Sequence, residues 1–437
     1  MRRLWGTLSP SHRRKPVSSR LDLLDSGFCR NDELCRRPVW AAPTLRGFAV
    51  LALTALPAVP AQAKEGDTFQ PFVSYTRYYD SNLFRLAGSE YALVPHLSDQ
   101  YGVLSAGVNA DWQPGRQRVI ASASKSLVRY SRNPQLDYDG SDHQLKWNWR
   151  LGNHWSGQVG ATESVAQSSF SDLVGLLINN QVTRKNRFAN AEWQFHPRWH
   201  AGLGAATASS TNSTTQRASS DYEDISAYAT LGYTTPKGSK LRGQLRRVEG
   251  EYPNRSAGLF ADRAYTLTEY NLLGDWNMSG KLIAHARLGY VQRENDTLSQ
   301  RNFSGLAGRL SADYFPSGKT ALNWALYREI ANSDDVNASY QLSAGTRLGA
   351  AWLATSRVTL RASASFENRS FEGDTGFILP GTPQRDEDTL SGSLSLSYAP
   401  LRMATIDVGV QAGRRESNIP VNDYKFHTVF VNVRADF

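Results

Sequence analysis

The stretch YKFHTVFVNVRADF, Tyr424 to Phe437, closes the chain and decides its reading. Counting back from Phe437, every second residue is apolar: Ala435, Val433, Val431 and Val429. The positions between are mixed: Asp436, Arg434, Asn432 and Phe430. Alternation with period two is the mark of a strand with two unlike faces. One face of this strand is oily and the other carries charge, and it ends in an aromatic residue. An ordinary last strand of a soluble sandwich would satisfy the same pattern, so the rest of the chain has to discriminate.

The ending recurs upstream. An aromatic residue stands before each candidate tight turn: Trp112, Trp149, Phe195, Tyr233, Trp276, Tyr314, Trp352 and Tyr398, with Phe437 as the ninth member. The intervals run from 37 to 46 residues. A regular period of that size signals an array of supersecondary units. A propeller blade would also take about 40 residues, but divided into four short strands. Here each interval divides into two long strands and a loop, as a membrane hairpin does, whose tilted strands need about 9–11 residues to cross. The aromatic series is then a girdle at one interface, the depth that rings with an apolar body and a polar tip prefer.

Composition agrees. The chain has 437 residues and a mean hydropathy of −0.46, and the repeat region holds no apolar run long enough for a spanning helix. A barrel tolerates low mean hydropathy because only alternate residues face lipid. The net charge of +9 is concentrated at the front: residues 1–63 hold ten Lys and Arg against four Asp and Glu. The remainder is nearly balanced, with 39 basic and 36 acidic residues, and offers no argument for nucleic-acid binding. Both cysteines, Cys29 and Cys35, also lie in the first 63 residues. No disulfide framework or cysteine metal site is available after them.

Residues 1–63 read as an N-terminal extension and an export signal. Gly47 to Val59 is a short Ala/Leu-rich stretch after Arg46, and Ala61-Gln62-Ala63 places small residues at both positions of a cleavage site. Cleavage is expected after Ala63, leaving residues 64–437 as the barrel. Pro57 and Pro60 interrupt the stretch, which is too short to span a membrane.

From Phe69 onward the chain reads as hairpins. Candidate tight turns include Gln113-Pro114-Gly115, Leu151-Gly152-Asn153, His196-Pro197, Phe315-Pro316-Ser317-Gly318 and Ala399-Pro400. The opposite connections are longer and more polar, among them Ser81–Gln100, Phe170–Asn186 and Phe371–Glu387. Short turns on one side and long loops on the other are the asymmetry of an outer-membrane barrel, with the short turns periplasmic. Counting through predicts an all-β, antiparallel, up-and-down transmembrane barrel of about 18 strands. Alternation assigns faces: Leu145, Trp147, Trp149 and Leu151 outward with Gln144, Lys146, Asn148 and Arg150 inward; Leu390, Leu394 and Leu396 outward with Ser391, Ser393, Ser395 and Ser397 inward. A lining of serine and arginine implies a wet interior, unlike the apolar inside of a sandwich.

Two resemblances carry these residues further. The alternating strand that ends in Phe437, with Val433 and Val431 on its oily face, resembles the closing strand of bacterial outer-membrane barrels. The resemblance implies recognition by the outer-membrane assembly machinery and residence in outer-membrane lipid. Asp80-Ser81-Asn82-Leu83-Phe84-Arg85, Gly115-Arg116-Gln117-Arg118, Leu136-Asp137-Tyr138-Asp139-Gly140 and Trp147-Asn148-Trp149-Arg150-Leu151-Gly152 are similar to the outer-membrane proteins of exopolysaccharide biosynthesis operons, the EpsL type, within the wider β-barrel porin group. That resemblance is densest over residues 72–200. It implies a role in making or exporting a secreted polysaccharide, with periplasmic partners it does not identify.

Candidate chemistry is sparse. His96, His143, His154, His196, His200, His285 and His427 fall in no metalloprotease or esterase motif, and phosphate-binding glycine loops are absent, so neither a cofactor nor catalysis is expected. The short interval between Lys64 and the first strand leaves no room for a plug domain. The remaining signal is arginine on inward faces: Arg150, Arg246, Arg287, Arg347, Arg361 and Arg434. They read either as wall salt bridges or as a corridor for carboxylates, which guanidinium groups hold in forked pairs. Three functions are weighed: a conduit or scaffold for exopolysaccharide first, a general diffusion porin as the alternative, and a barrel enzyme acting on lipid or polysaccharide as the least supported.

Overall fold

The computed structural model describes residues 68–170, 178–255, 262–332, 338, 340–373 and 383–437. Eighteen strands follow one another in chain order. They are β1 (Phe69–Asp80), β2 (Asp99–Trp112), β3 (Arg118–Tyr130), β4 (Tyr138–Leu151), β5 (Trp155–Gln167) and β6 (Gln181–His196). Next come β7 (Trp199–Asn212), β8 (Tyr222–Thr234), β9 (Lys240–Glu251), β10 (Ala264–Ser279), β11 (Leu282–Asn295) and β12 (Phe303–Ser317). The last are β13 (Thr320–Asn332), β14 (Tyr340–Leu353), β15 (Val358–Glu372), β16 (Asp386–Leu401), β17 (Ala404–Ser417) and β18 (Tyr424–Asp436).

Each strand pairs antiparallel with its neighbours in the chain, and β1 pairs with both β2 and β18. The sheet is therefore a closed 18-stranded barrel with no free edge. Closure satisfies every strand's backbone from within, the condition for crossing a bilayer without helices. No helix of the described residues is long and apolar enough to do so.

The alternation read from the sequence is the alternation of the wall. Val429, Val431 and Val433 face outward and exposed, while Thr428 and Phe430 are buried inward. All nine members of the aromatic series lie at the short-turn end on outward positions, and Phe437 remains 63% exposed. Trp149 is half-buried because its ring lies across Gly157 of β5, where a side chain would collide with it. Trp155 stacks on Trp193 at 5.7 Å, and Trp199 meets Tyr233 edge-on at 5.1 Å, which continues the belt onto the neighbouring strands. So wide an exposed apolar surface is unsustainable in water. A closed barrel, oily outside with an aromatic belt and polar inside, is built for the outer membrane of a Gram-negative bacterium.

Element ends differ from expectation where proline is involved. Two turns start later than expected: β12 runs on to Ser317, so that turn begins only at Gly318, and β16 runs through Ala399 and Pro400 to Leu401. The register slips between Tyr314 and Ser317 and between Tyr398 and Leu401. Pro316 and Pro400 sit inside these slips, where a residue with no N–H to donate leaves the ladder and a bulge absorbs it. The loop expected over Phe170–Asn186 is shorter, since β6 begins at Gln181. Gly115 and Gly152, with φ of 65° and 60°, occupy the left-handed positions of their turns, as expected of glycine there. Residues 1–63, with the Ala61 and Ala63 cleavage site, lie outside the described residues.

The interior is less uniformly wet than its serines suggest. Two apolar clusters line its outer half, the end that bears the long loops. One joins Tyr78, Tyr101, Val128, Tyr138 and Phe430 of β1–β4 and β18 to Leu83, Phe84, Leu136 and Phe170 of the loops. The other packs Tyr222, Val248, Tyr265, Leu267 and Val291 of β8–β11. The expected hydroxyl wall is real on β15 and β16, where Ser363 meets Ser393 and Ser365 meets Ser391, each at 2.7 Å.

Candidate functional site: the lumen

The first long loop folds into the barrel, and Asp80-Ser81-Asn82-Leu83-Phe84-Arg85 holds it there. Arg85 donates from both terminal nitrogens to the two oxygens of Asp80 at 2.8 Å, a forked pair that is almost fully buried. Thr428 of β18 donates to Asp80 Oδ2 at 3.0 Å. Asn82 caps the turn: its amide donates to the carbonyls of Leu86 at 2.9 Å and Lys425 at 3.1 Å, while its oxygen accepts from the Leu86 N–H at 3.0 Å. The Ser81 N–H donates to the His427 carbonyl at 3.0 Å, and the His427 N–H donates to Ser81 Oγ at 2.9 Å. Arg85 takes a left-handed φ of 57°, which directs its guanidinium over the Phe426 ring at 3.8 Å. Leu83, Phe84 and Leu86 are thereby buried on the inward aromatics of β1, β2 and β18. Phe84 also meets Phe170 of the β5–β6 loop at 5.0 Å. The outer mouth is narrowed along this side.

All six arginines singled out by alternation face the lumen, but they do not form one corridor. Arg246 is tied to Glu269 at 3.3 Å. Arg287 lies 3.8 Å from Glu329, which also holds Arg309 at 2.8 Å. Arg434 pairs with Asp436 at 2.6 Å and stacks on Phe72 at 3.9 Å. These three are wall salt bridges. Arg150 stands exposed beside a periplasmic turn, and Arg361 lies near the inner end of β15. Arg347 alone stands at mid-strand and exposed, with no carboxylate paired to it among the described residues.

Sequence reasoning missed the acids that organise the wall. Glu387 is fully buried and gathers Arg369, Arg415 and Arg385 from β15, β17 and the residue before β16. Asp275 holds Arg242 on one oxygen and His285 Nδ1 on the other, each at 2.6 Å. Each acid is inward by parity, and parity was the one signal available; its partners lie on neighbouring strands whose register no local pattern states. Buried acids of this kind are stable only because each is paired. Among the described residues there is no cluster of acids, histidines or cysteines able to hold a metal.

The geometry defines the class: a porin-like outer-membrane β-barrel. Residues 274–437 match the family model described as Putative beta-barrel porin 2. No curated protein matches the chain. Among solved structures, the chain is similar to Pseudomonas aeruginosa OpdK with vanillate, at 11% identity and a TM-score of 0.46, over 84% of this chain and 99% of that one. A BenF-like porin from Pseudomonas fluorescens Pf-5 gives 10% identity and a TM-score of 0.46, over 85% and 99%. The siderophore receptor PirA of Pseudomonas aeruginosa gives 8% identity and a TM-score of 0.42, over 86% and 81%.

Proposed function

We propose that the barrel is a passive channel for small hydrophilic solutes. The observation that carries this reading is the inward loop. Asp80, Asn82 and Arg85 lock it against β18, and its apolar side chains are buried on the lumenal aromatics, so it is part of the bore's permanent lining. A mouth narrowed on one side by fixed loops, above a hydroxyl- and arginine-lined wall, suits single solutes better than a passing polymer. Pore lining and fixed charge then set which solutes enter. The matching porin family over residues 274–437 supports the same reading. The test is single-channel recording of the purified protein in planar bilayers. Steady ohmic conductance is expected; a silent barrel that is correctly folded would overturn the channel.

A second reading, a role in exopolysaccharide biosynthesis or export as conduit or scaffold, is favoured by one observation. The residues that carry the resemblance to the exopolysaccharide-operon proteins, Asp80 to Arg85, are the ones that build the loop lock. Deleting the gene in its own host and assaying secreted polysaccharide separates the two. Loss of polymer with normal uptake of small solutes would favour the second.

A further inference from the structure

We propose that Arg347 is the centre of a lumenal subsite for hydroxylated carboxylates, the chemical class of the sugar acids. The proposal rests on the channel reading and names what the channel selects.

Arg347 is a mid-strand lumenal arginine with no acidic partner among the described residues, and small residues surround it. Its register partners are Ala325 on β13 and Ser365 on β15, both small. The inward positions before and after it on β14 are Gly345 and Gly349. These two glycines are not empty space. The Tyr327 phenol lies across Gly345, and the Asn323 carboxamide lies across Gly349, each so close that a side chain there would collide with it. Arg347 therefore has a phenol on its outer side and an amide on its inner side. The hydroxyls of Ser363 and Ser365 stand alongside on β15.

Each group has a defined part. The Arg347 guanidinium is 5.6 Å from the centre of the Tyr327 ring, close enough for the ring to steady a cation without neutralising it. Tyr327 is itself fixed, since its hydroxyl donates to Glu367 at 2.7 Å. A planar fork held this way presents paired donors to a carboxylate, the geometry for which guanidinium is the strongest side chain. Asn323 and the serine pairs Ser363–Ser393 and Ser365–Ser391, with oxygens 2.7 Å apart, offer donors and acceptors at the spacing of a polyol. A plain carboxylate uses the arginine alone. A neutral sugar uses the hydroxyls alone. A sugar acid uses both.

The experiment titrates galacturonate, galactose and glutarate into the detergent-extracted barrel by calorimetry, and follows block of ion current by the same three in planar bilayers. Galacturonate is expected to bind tighter than the other two. Arg347→Gln should weaken galacturonate and glutarate by about tenfold or more and leave galactose unchanged. The double change Ser363→Ala with Ser365→Ala should weaken galacturonate and leave glutarate unchanged. Heat-dependent gel mobility and circular dichroism verify that both variants form the barrel. Equal binding of the three solutes by the natural protein, or no effect of Arg347→Gln in a folded barrel, overturns the subsite. Unchanged galacturonate binding in the serine variant overturns its hydroxyl half. The two readings fail separately: a barrel that conducts but shows no preference refutes the subsite, and one that binds galacturonate but never conducts refutes the channel.

Discussion

The backbone N–H of Phe437 donates to the carbonyl of Pro71 at 2.8 Å, so the final residue of the sequence is stitched to the first strand. Along the same seam Asp436 sits opposite Phe72, and Val433 opposite Tyr75. The seam closes the barrel, and Phe437 also sits outward in the periplasmic belt, exposed to the surroundings. Its ring is thus available to the lipid interface, and if this strand is read by the assembly machinery as its resemblance to closing strands implies, the ring is part of what is read. Deleting Phe437 should lower the amount of assembled protein in the outer membrane and leave material aggregated in the periplasm. Fractionation followed by heat-dependent gel mobility measures this; normal assembled levels in the deletion variant would contradict it.

The export reading of residues 1–63 makes its own prediction. The protein extracted from membranes should begin at Lys64, after Ala61 and Ala63. N-terminal sequencing decides it. A retained segment bearing Cys29 and Cys35 would reject the cleavage.

Glu387 is the acid on which the β15–β17 wall depends. Its carboxylate has no solvent access and faces Arg369, Arg385 and Arg415. Replacing it with Gln leaves three guanidinium groups without their shared anion. Breaking a buried ion pair on one side costs about 3–5 kcal/mol. Glu387→Gln should therefore unfold at clearly lower urea than the natural protein, by gel mobility against denaturant. Arg414→Gln is the control, since Arg414 and Glu416 form an exposed outward pair worth little.

The loop lock predicts a change in conductance rather than in folding. Asp80→Asn removes one half of the forked pair with Arg85 and weakens the acceptor for Thr428. The eighteen strand pairings do not depend on it. With the loop less firmly held, single-channel recordings should become noisier and rise in mean conductance, with the barrel's thermal transition little changed. Quiet recordings identical to those of the natural protein would show that the buried Leu83, Phe84 and Leu86 suffice to hold the loop.

Reversal potentials test the wall charges directly. Arg347→Gln removes an unpaired lumenal charge, whereas Arg246→Gln removes one already compensated by Glu269. The first substitution should shift the channel toward cations, and the second should mainly destabilise the wall. Equal shifts from both would mean that pairing does not screen these charges in the bore.

What was legible in the chain by itself was whatever repeats within one strand. Period-two alternation assigned the faces of β4, β16 and β18, because a side chain's side of a strand depends only on its parity. The aromatic series marked the periplasmic ends, since interface depth selects the same residue type each time. The total of eighteen strands followed from turn and loop chemistry spaced along the chain. What only the tertiary structure decided was everything that runs across strands. Register brings Glu329 to Arg309 and Arg369 and Arg415 to Glu387, and lays Tyr327 and Asn323 over the glycines that flank Arg347. The six inward arginines looked alike in sequence because each is inward by parity. They separate into paired and unpaired only in the closed barrel, where an acid on another strand arrives beside some and not others. The loop lock has the same origin: Asp80 and Arg85 are near in sequence, but Thr428 and Phe426 reach them only because the last strand pairs with the first.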